Sequence, residues 1–598
     1  MSKNQKKLLP IDYTHRDFET IQQDLLEIAE RFYPDSFQDF SEASFGSLMI
    51  DAVSYVGDQL SFYLDYNINE SFLDTAFQYS NVVRHGAIMG YKFTGRPSTY
   101  GTVSLFIMVP ANSLGIGPDL DYMPILKRGT TFGTENGLSF VLTENVDFSR
   151  PTNTFVVART DSSTGAPTHY AVKAHGKVVS GNFGQERVAV GAFERFKRVT
   201  LQAQNVAEII SVFDTEGNEY FEVDYLVQDM IFKEVANSNF KNDNVPAILK
   251  PTLVSRKFVT QMIRDSVTLQ FGSGKMSNSD VVSNPQNFAV NVFGKTYTST
   301  ETFDPSRLSQ NESFGIVPTN TTLIVTYRTT NGANSNVATQ GISSVVSRNF
   351  EFKDLSALNS SKLAELRASL EVSNEEPITG DVTYPSTKEV KQRIYDTFPT
   401  QNRAVTQTDY ENLAYRMHSK FGAIKRCSVQ KDMDSQKRNL NMYIVSEDTA
   451  GKLTLANSTI KNNLKTWLNQ YRMINDTVDI LDPYILNFGI NFVVKPQKMA
   501  DKFIIIDRCV EALRQHYEQP LFIGEALYIS DIYEVLKNVT GVLDVVKVNI
   551  FLRSGGNYST ASIDINKNIS PDGSYLAVPN NAILELKFPD VDIIGKVR

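Results

Sequence analysis

The chain has 598 residues and a mass of 67.0 kDa, room for about three to five domains at roughly 100–200 residues each, so one small catalytic fold is excluded. Lys and Arg number 59 against 67 Asp and Glu, a net charge of −8, which excludes a basic nucleic-acid-binding body. The hydrophobic content of 41% excludes wholesale disorder, and two cysteines, Cys427 and Cys509, are too few for a disulfide-stapled scaffold or a cysteine-rich metal site.

The lysine-rich start, MSKNQKKLLPIDYTHRDF, is followed by no apolar stretch and does not read as a signal peptide. Thr14 and Asp17 form a capping signal, after which Phe18, Ile21, Leu25, Ile28 and Phe32 fall at heptad spacing up to Pro34. Two heptads are too few for a free-standing coiled coil, so this stripe must pack on another element. A second helix, from about Phe45 to Tyr66, is apolar on two sides. Met49, Val53, Val56, Leu60 and Tyr63 keep one seam, and Ala52, Tyr55, Phe62 and Tyr66 line a neighbouring one. A helix with one wet face needs a single seam. The residues leave two readings open: the central helix of a bundle within this chain, or a helix shared between chains. A third helical stretch is expected from Glu70 to Met89, ending among Gly86 and Gly90.

From Pro97 to about Ser347 the apolar period changes to two. Strands are expected at Thr102–Val109, within Gly129–Thr143 and Ile209–Val227, and at Thr321–Thr329, with Glu135-Asn-Gly and Glu216-Gly-Asn as hairpin turns. The apolar run TVSLFIMV is too short to cross a bilayer, and no membrane partner is expected. Ser/Asn/Gly-rich runs such as GSGKMSNSDVVSNPQN suggest an insertion or exposed loops over about 150–303.

After a polar helical passage, Leu355–Glu371, and the turn Glu376-Pro-Ile-Thr-Gly-Asp, helices and strands alternate. Helices are expected near Ser386–Phe398, from Thr408, and at Leu455–Arg472, Lys502–Tyr517 and Ser530–Asn538. Strands are expected at Ala423–Gln430, Asn439–Ser446, Ile485–Val494 and Val542–Leu552. Thr408-Asp-Tyr-Glu411 fits a capping box. The fold class is therefore multidomain α+β: an N-terminal helical region over 1–95, a β-rich middle over 96–350, a helical connector over 351–384 and an α+β region over 385–598.

No chemical constellation emerges. Leu269-Gln-Phe-Gly-Ser-Gly-Lys-Met lacks the first glycine and the Ser/Thr of a phosphate loop, and Gly115-Ile-Gly117 lacks the third glycine of a dinucleotide fingerprint. The six histidines are scattered, with only His169 and His175 close together, and Asp476, Asp479 and Asp482 have the wrong spacing for a calcium loop. No Gly-x-Ser-x-Gly elbow occurs. No catalytic residue, cofactor or metal is expected, and the chain is not read as an enzyme.

Several stretches in order carry a resemblance. They are Asp58-Gln-Leu-Ser-Phe-Tyr-Leu-Asp-Tyr-Asn-Ile-Asn-Glu-Ser-Phe-Leu73, the Gly86–Tyr91 turn with Gly101-Thr-Val-Ser-Leu, Leu126-Lys-Arg-Gly-Thr-Thr-Phe with Gly137-Leu-Ser-Phe, Asp214-Thr-Glu-Gly-Asn-Glu-Tyr-Phe-Glu-Val, and Gln401-Asn-Arg-Ala-Val-Thr-Gln-Thr-Asp-Tyr410. Together they resemble the baseplate J-like family of contractile phage tails. The length and the run Trp467-Leu-Asn-Gln-Tyr-Arg-Met-Ile-Asn-Asp resemble its larger T-even-type members, the wedge subunits. The resemblance implies a structural virion protein of the tail baseplate, assembled in the host cytoplasm and taking part in the change that triggers sheath contraction. Its N-terminal helices would join those of a second copy (a homodimer within the wedge) and of another wedge protein, and its C-terminal region would meet neighbouring copies in a ring around the tube. It favours sharing of the second helix between chains, with Phe18, Ile21, Leu25, Ile28, Phe32, Met49, Val53, Val56, Leu60 and Tyr63 as bundle residues. Arg403, Asp409 and Tyr410 match a family motif and are read as structural, a helix start whose Asp suits the dipole. The competing readings are a tail-associated cell-wall hydrolase and a receptor-binding protein.

Overall fold

The computed structural model describes residues 16–32, 44–93, 95–112, 116–237, 247–263, 266–275, 314–331, 334–432, 439–497 and 501–598. Thr14, Pro34 and the Ser/Asn-rich run beyond Lys275 lie outside them. Helix α1 (Phe18–Phe32), α2 (Phe45–Glu70) and α3 (Tyr79–Ile88) open the chain. Ser44 caps α2, its hydroxyl accepting the Ser47 N–H at 3.0 Å. The third helix begins later than the apolar pattern suggests, because Glu70 interrupts it. Its carboxylate accepts the N–H groups of Phe77 (2.8 Å) and Gln78 (3.1 Å) and the Asn81 side-chain amide (2.8 Å). By satisfying the N–H groups of the N-cap residue Gln78 and of Phe77 before it, Glu70 fixes the non-helical stretch between α2 and α3. The Asn81 bond contributes most to holding the Glu70 carboxyl below its ordinary range.

The longer helices that follow are α4 (Ser360–Ala368), α5 (Thr387–Thr400), α6 (Gln407–Tyr415), α7 (Ser458–Leu468), α8 (Lys502–His516) and α9 (Ile529–Lys537). The polar passage from Leu355 opens with a 3-10 turn, Leu355–Ala357, continues in α4, capped by Asn359, and then turns into an edge strand at Glu371–Ser373. Residues 385–398 form one compact unit with the helices of 1–92, and 93–384 with 399–598 form the other. In the helical unit Ala76, Val82 and Tyr91 pack on Val390 and Ile394 of α5. Gly86 allows that approach, since a Cβ there would lie 2.8 Å from Ile394 Cδ1.

In the second unit, a seven-stranded sheet runs in the order Ile342–Val345, Thr131–Thr134, Ser139–Leu142, Pro167–Ser180, Tyr100–Pro110, Glu371–Ser373, with Thr154–Thr160 added beside Pro167–Ser180. Tyr100–Pro110 pairs antiparallel with Pro167–Ser180, Tyr100 opposite Val179 and Pro110 opposite His169. The period of two sends Val103, Leu105, Ile107 and Val109 into one core, closed by Leu363 and Leu366 of α4. His169 and His175 both sit on this strand pair.

The chain enters a second seven-stranded sheet (Asn182–Val190, Thr321–Thr329, Val206–Phe213, Glu219–Glu222, Lys257–Ile263, Ser266–Phe271, Arg198–Thr200) through Gly181. At φ 111° a Cβ on Gly181 would lie 1.7 Å from the Thr329 carbonyl oxygen, so the passage needs glycine. The buried Arg328 guanidinium closes the same seam, donating to the Ser180 carbonyl (2.7 Å), Ser98 Oγ (3.1 Å) and Glu208 (3.1 Å). The expected hairpin turns have Gly137 and Gly217 at positive φ.

The C-terminal part holds two mixed sheets. Arg426–Lys431, Asn439–Glu447 and Leu453–Leu455 are antiparallel, Thr477–Leu481 adds parallel to Asn439–Glu447, and α6 and α7 cover the core. In the second, Tyr484–Pro496 pairs antiparallel with Val542–Arg553 and parallel with Ala582–Glu585 and Ile593–Val597, under α8 and α9. Helix α6 starts with Thr406, not Thr408, as its cap. Thr406 Oγ1 accepts the Asp409 N–H (3.2 Å) and the Asp409 carboxylate accepts the Thr406 N–H (2.8 Å). Glu411, two residues beyond, instead accepts the Val429 N–H at 2.8 Å.

Candidate functional site

The most conspicuous surface is on α2, a helix of 26 residues and so about 39 Å long. Its contact with α1 uses small and polar residues. Ser54 is buried, and the Ile21 Cδ1 methyl lies 3.1 Å from where a Gly57 Cβ would sit. Gln22 donates to Asp51 at 2.5 Å, and Arg16 pairs with Asp65 at 2.9 Å. Phe18, Ile21, Leu25 and Ile28 are half-buried, and Phe32 is exposed.

The large apolar side chains of α2 lie elsewhere on the helix. Met49, Val53, Val56, Leu60 and Tyr63 are 50–58% exposed, and Phe45, Leu48, Tyr55, Phe62, Leu64 and Ile68 are 55–76% exposed. The α1 and α2 groups of expected bundle residues are thus not brought together: the first meets the serine and glycine side of α2, and the second faces solvent. The sequence did carry a signal for the α1-facing side. Ser47, Ser54 and Ser61, like Asp51, Asp58 and Asp65, repeat every seven residues. Apolar faces of this kind are uncommon on the solvated exterior of a monomeric protein. Among the described residues no helix is long and apolar enough to cross a membrane.

Polar chemistry elsewhere is structural. Cys427 and Cys509 are buried and unbridged, and burial pushes both thiols up, Cys509 to about 11. Among the described residues no group of three His, Cys, Asp or Glu is placed to hold a metal. Lys425 and Glu447 form a buried ion pair at 2.8 Å, with Thr383 donating to the same carboxylate through its N–H (2.7 Å) and hydroxyl (2.8 Å). Beside it Asp381 accepts the Ser335 N–H at 3.0 Å and lies 3.7 Å from Arg96. Burial pushes the Asp381 carboxyl up to about 6. The motif residues near 400 are likewise local. Asp409 caps α6, and the buried Tyr410 donates its hydroxyl to Asp476 at 2.9 Å, its pKa pushed by burial to about 12. Arg403 is exposed, its N–H bonded to the Thr400 carbonyl at 3.0 Å.

Residues 14–88 match a family model, that of the bacteriophage baseplate protein N-terminal domain. The match runs from before α1 to the last residue of α3, so it contains the whole apolar face of α2. The N-terminal helical segment is similar to that of bacteriophage baseplate proteins. No curated protein matches the chain. Among solved structures, a chain of the anti-feeding prophage baseplate is 8% identical with a TM-score of 0.24, over 96% of this chain and 90% of that one. A chain of the type VI secretion system TssK-TssF-TssG baseplate subcomplex is 9% identical with a TM-score of 0.24, over 73% of this chain and 95% of that one. At these TM-scores neither superposition defines a shared fold.

Proposed function

We propose that the chain is a structural, non-enzymatic subunit of the baseplate wedge in a contractile phage tail. The observation that supports this reading is the solvent-facing apolar side of α2 within the segment that matches the baseplate family model. In this reading α1 and α2 of one copy bury that face against α1 and α2 of a second copy and a helix of another wedge protein. The C-terminal α+β region meets neighbouring copies and closes a ring around the tail tube. Identical subunits joined head to tail form a closed ring only if the rotation between them closes, so such a chain needs two different association surfaces. The change that triggers sheath contraction is then a repacking of interfaces with two stable arrangements, with no bond made or broken.

The chain folds in the host cytoplasm and ends in the virion. The test is a density map of intact tails carrying a label fused to this chain. Label in the ring around the tube is expected, and label on the fibres or free of the tail would refute the assignment.

A further inference from the structure

A cleft of about 990 Å³ opens where the two C-terminal sheets adjoin, lined in part by the end of α8 and by the strand Ala582–Glu585. That volume is at the upper end for small-molecule pockets, and an open cleft of this size suits a segment of polypeptide. Its apolar part is the half-buried Tyr517 and Leu521, backed by the buried Phe488, whose ring meets Tyr517 edge-on at 5.5 Å, and by the buried Leu584. Its polar part has an excess of acceptors. Glu511 and Asp590 share the single guanidinium of Arg514 and remain more than half exposed, and Glu518 is exposed beside them. Helix α8 ends here, adding the partial negative charge of its last carbonyls. Gln519 Oε1, also in the lining, is buried with no hydrogen-bond partner, a state that a native fold avoids unless a donor arrives.

The chain itself supplies a segment of complementary chemistry. Residues 2–10, SKNQKKLLP, carry Lys3, Lys6 and Lys7 with no acid before Asp12, followed by Leu8 and Leu9. Nine extended residues reach at most about 30 Å. We propose that residues 2–10 of a second copy dock in this cleft, their lysines meeting Glu511, Glu518 and Asp590 and their leucines meeting the half-buried Tyr517 and Leu521. The contact joins residues 2–10 of one copy to a different surface of its neighbour, the head-to-tail kind that propagates around a ring. It goes beyond the wedge assignment, because it involves no residue of α2.

The test uses the full chain with a photo-reactive benzoylphenylalanine in place of Leu8, as a mixture of isotopically light and heavy copies. Expected are cross-links between copies to peptides spanning 511–521 or 584–590. Glu511→Lys with Glu518→Lys, both at exposed positions, should lower their yield at least tenfold, and Lys6→Glu with Lys7→Glu in the same chain should restore it. Cross-links that map elsewhere, form only within one copy, or ignore the charge reversal would overturn the proposal. Repeating the measurement with Val56→Asp and Leu60→Asp separates it from the α2 reading: the cross-link persists there whether or not α2 associates.

Discussion

Val56→Asp with Leu60→Asp tests the role of α2 most directly. Both side chains face solvent, at 55% and 58% exposure. Complete burial of such a side chain is worth about 1.5–3 kcal/mol, so the part still exposed offers roughly 1–1.5 kcal/mol per residue on association. Trimming both to alanine removes about 2–3 kcal/mol, which at 1.4 kcal/mol per decade weakens association roughly 30- to 150-fold. Aspartate adds the cost of carrying two unpaired carboxylates into an apolar interface, several kcal/mol more, and association at micromolar concentration should disappear. The isolated chain should lose only about 1–2 kcal/mol, because by the same bookkeeping the fold buries a little under half of each side chain. Sedimentation of the chain, alone and with its assembly partners, reads the first effect, and calorimetry of the chain alone reads the second. A double aspartate variant that still assembles, or that melts well below the wild type, would refute the reasoning.

Gly181→Ala should destabilise the sheet-bearing unit by about 3 kcal/mol or more, since the new methyl meets the Thr329 carbonyl oxygen in a backbone conformation that disfavours a side chain; calorimetry showing an unchanged transition would argue against it. Glu70→Ala should fray the start of α3, read as faster amide exchange at Phe77 and Gln78, and the wild type should show the same loosening as pH falls through the depressed pKa of Glu70. Asp381 works in the opposite direction. With its carboxyl pushed from 3.8 up to about 6, the folded state holds the proton more tightly, so stability falls as pH rises from about 4 to 6, by up to about 3 kcal/mol. Asp381→Asn should remove that slope in denaturant titrations, and an unchanged slope would assign it to another group.

Much of the fold is legible where the signal is local. The run Thr321–Thr329 reads as a strand to the residue, and Lys502–His516 as a helix to within one, because period, β-branching and caps all lie inside the element. The α2 surface is legible in part: the apolar seams supply its large solvent-facing side chains, while the serine and aspartate heptads mark the side that α1 covers. What fails to show depends on side chains reaching across space. Apolar residues continue through Phe72, Leu73 and Phe77, so Glu70–Met89 looks like one helix, and its break rests on a glutamate bonding seven, eight and eleven residues ahead. The cap of α6 reads two positions late in the sequence because Thr406 and Thr408 both precede an acid at the right spacing. The buried Lys425–Glu447 pair and its neighbours have no local pattern at all.

The partnership of α3 with α5 has a consequence for synthesis. The core shared by Val82, Tyr91, Val390 and Ile394 joins residues some three hundred positions apart. At roughly 5–20 residues per second, the ribosome adds the missing helix about 15–60 s after the first three have emerged. During that interval the early helices expose the underside of α3 as well as the outer face of α2. A truncated product ending before residue 385 would never cover that underside. The core of the helical unit is thus complete only in a chain translated past α5.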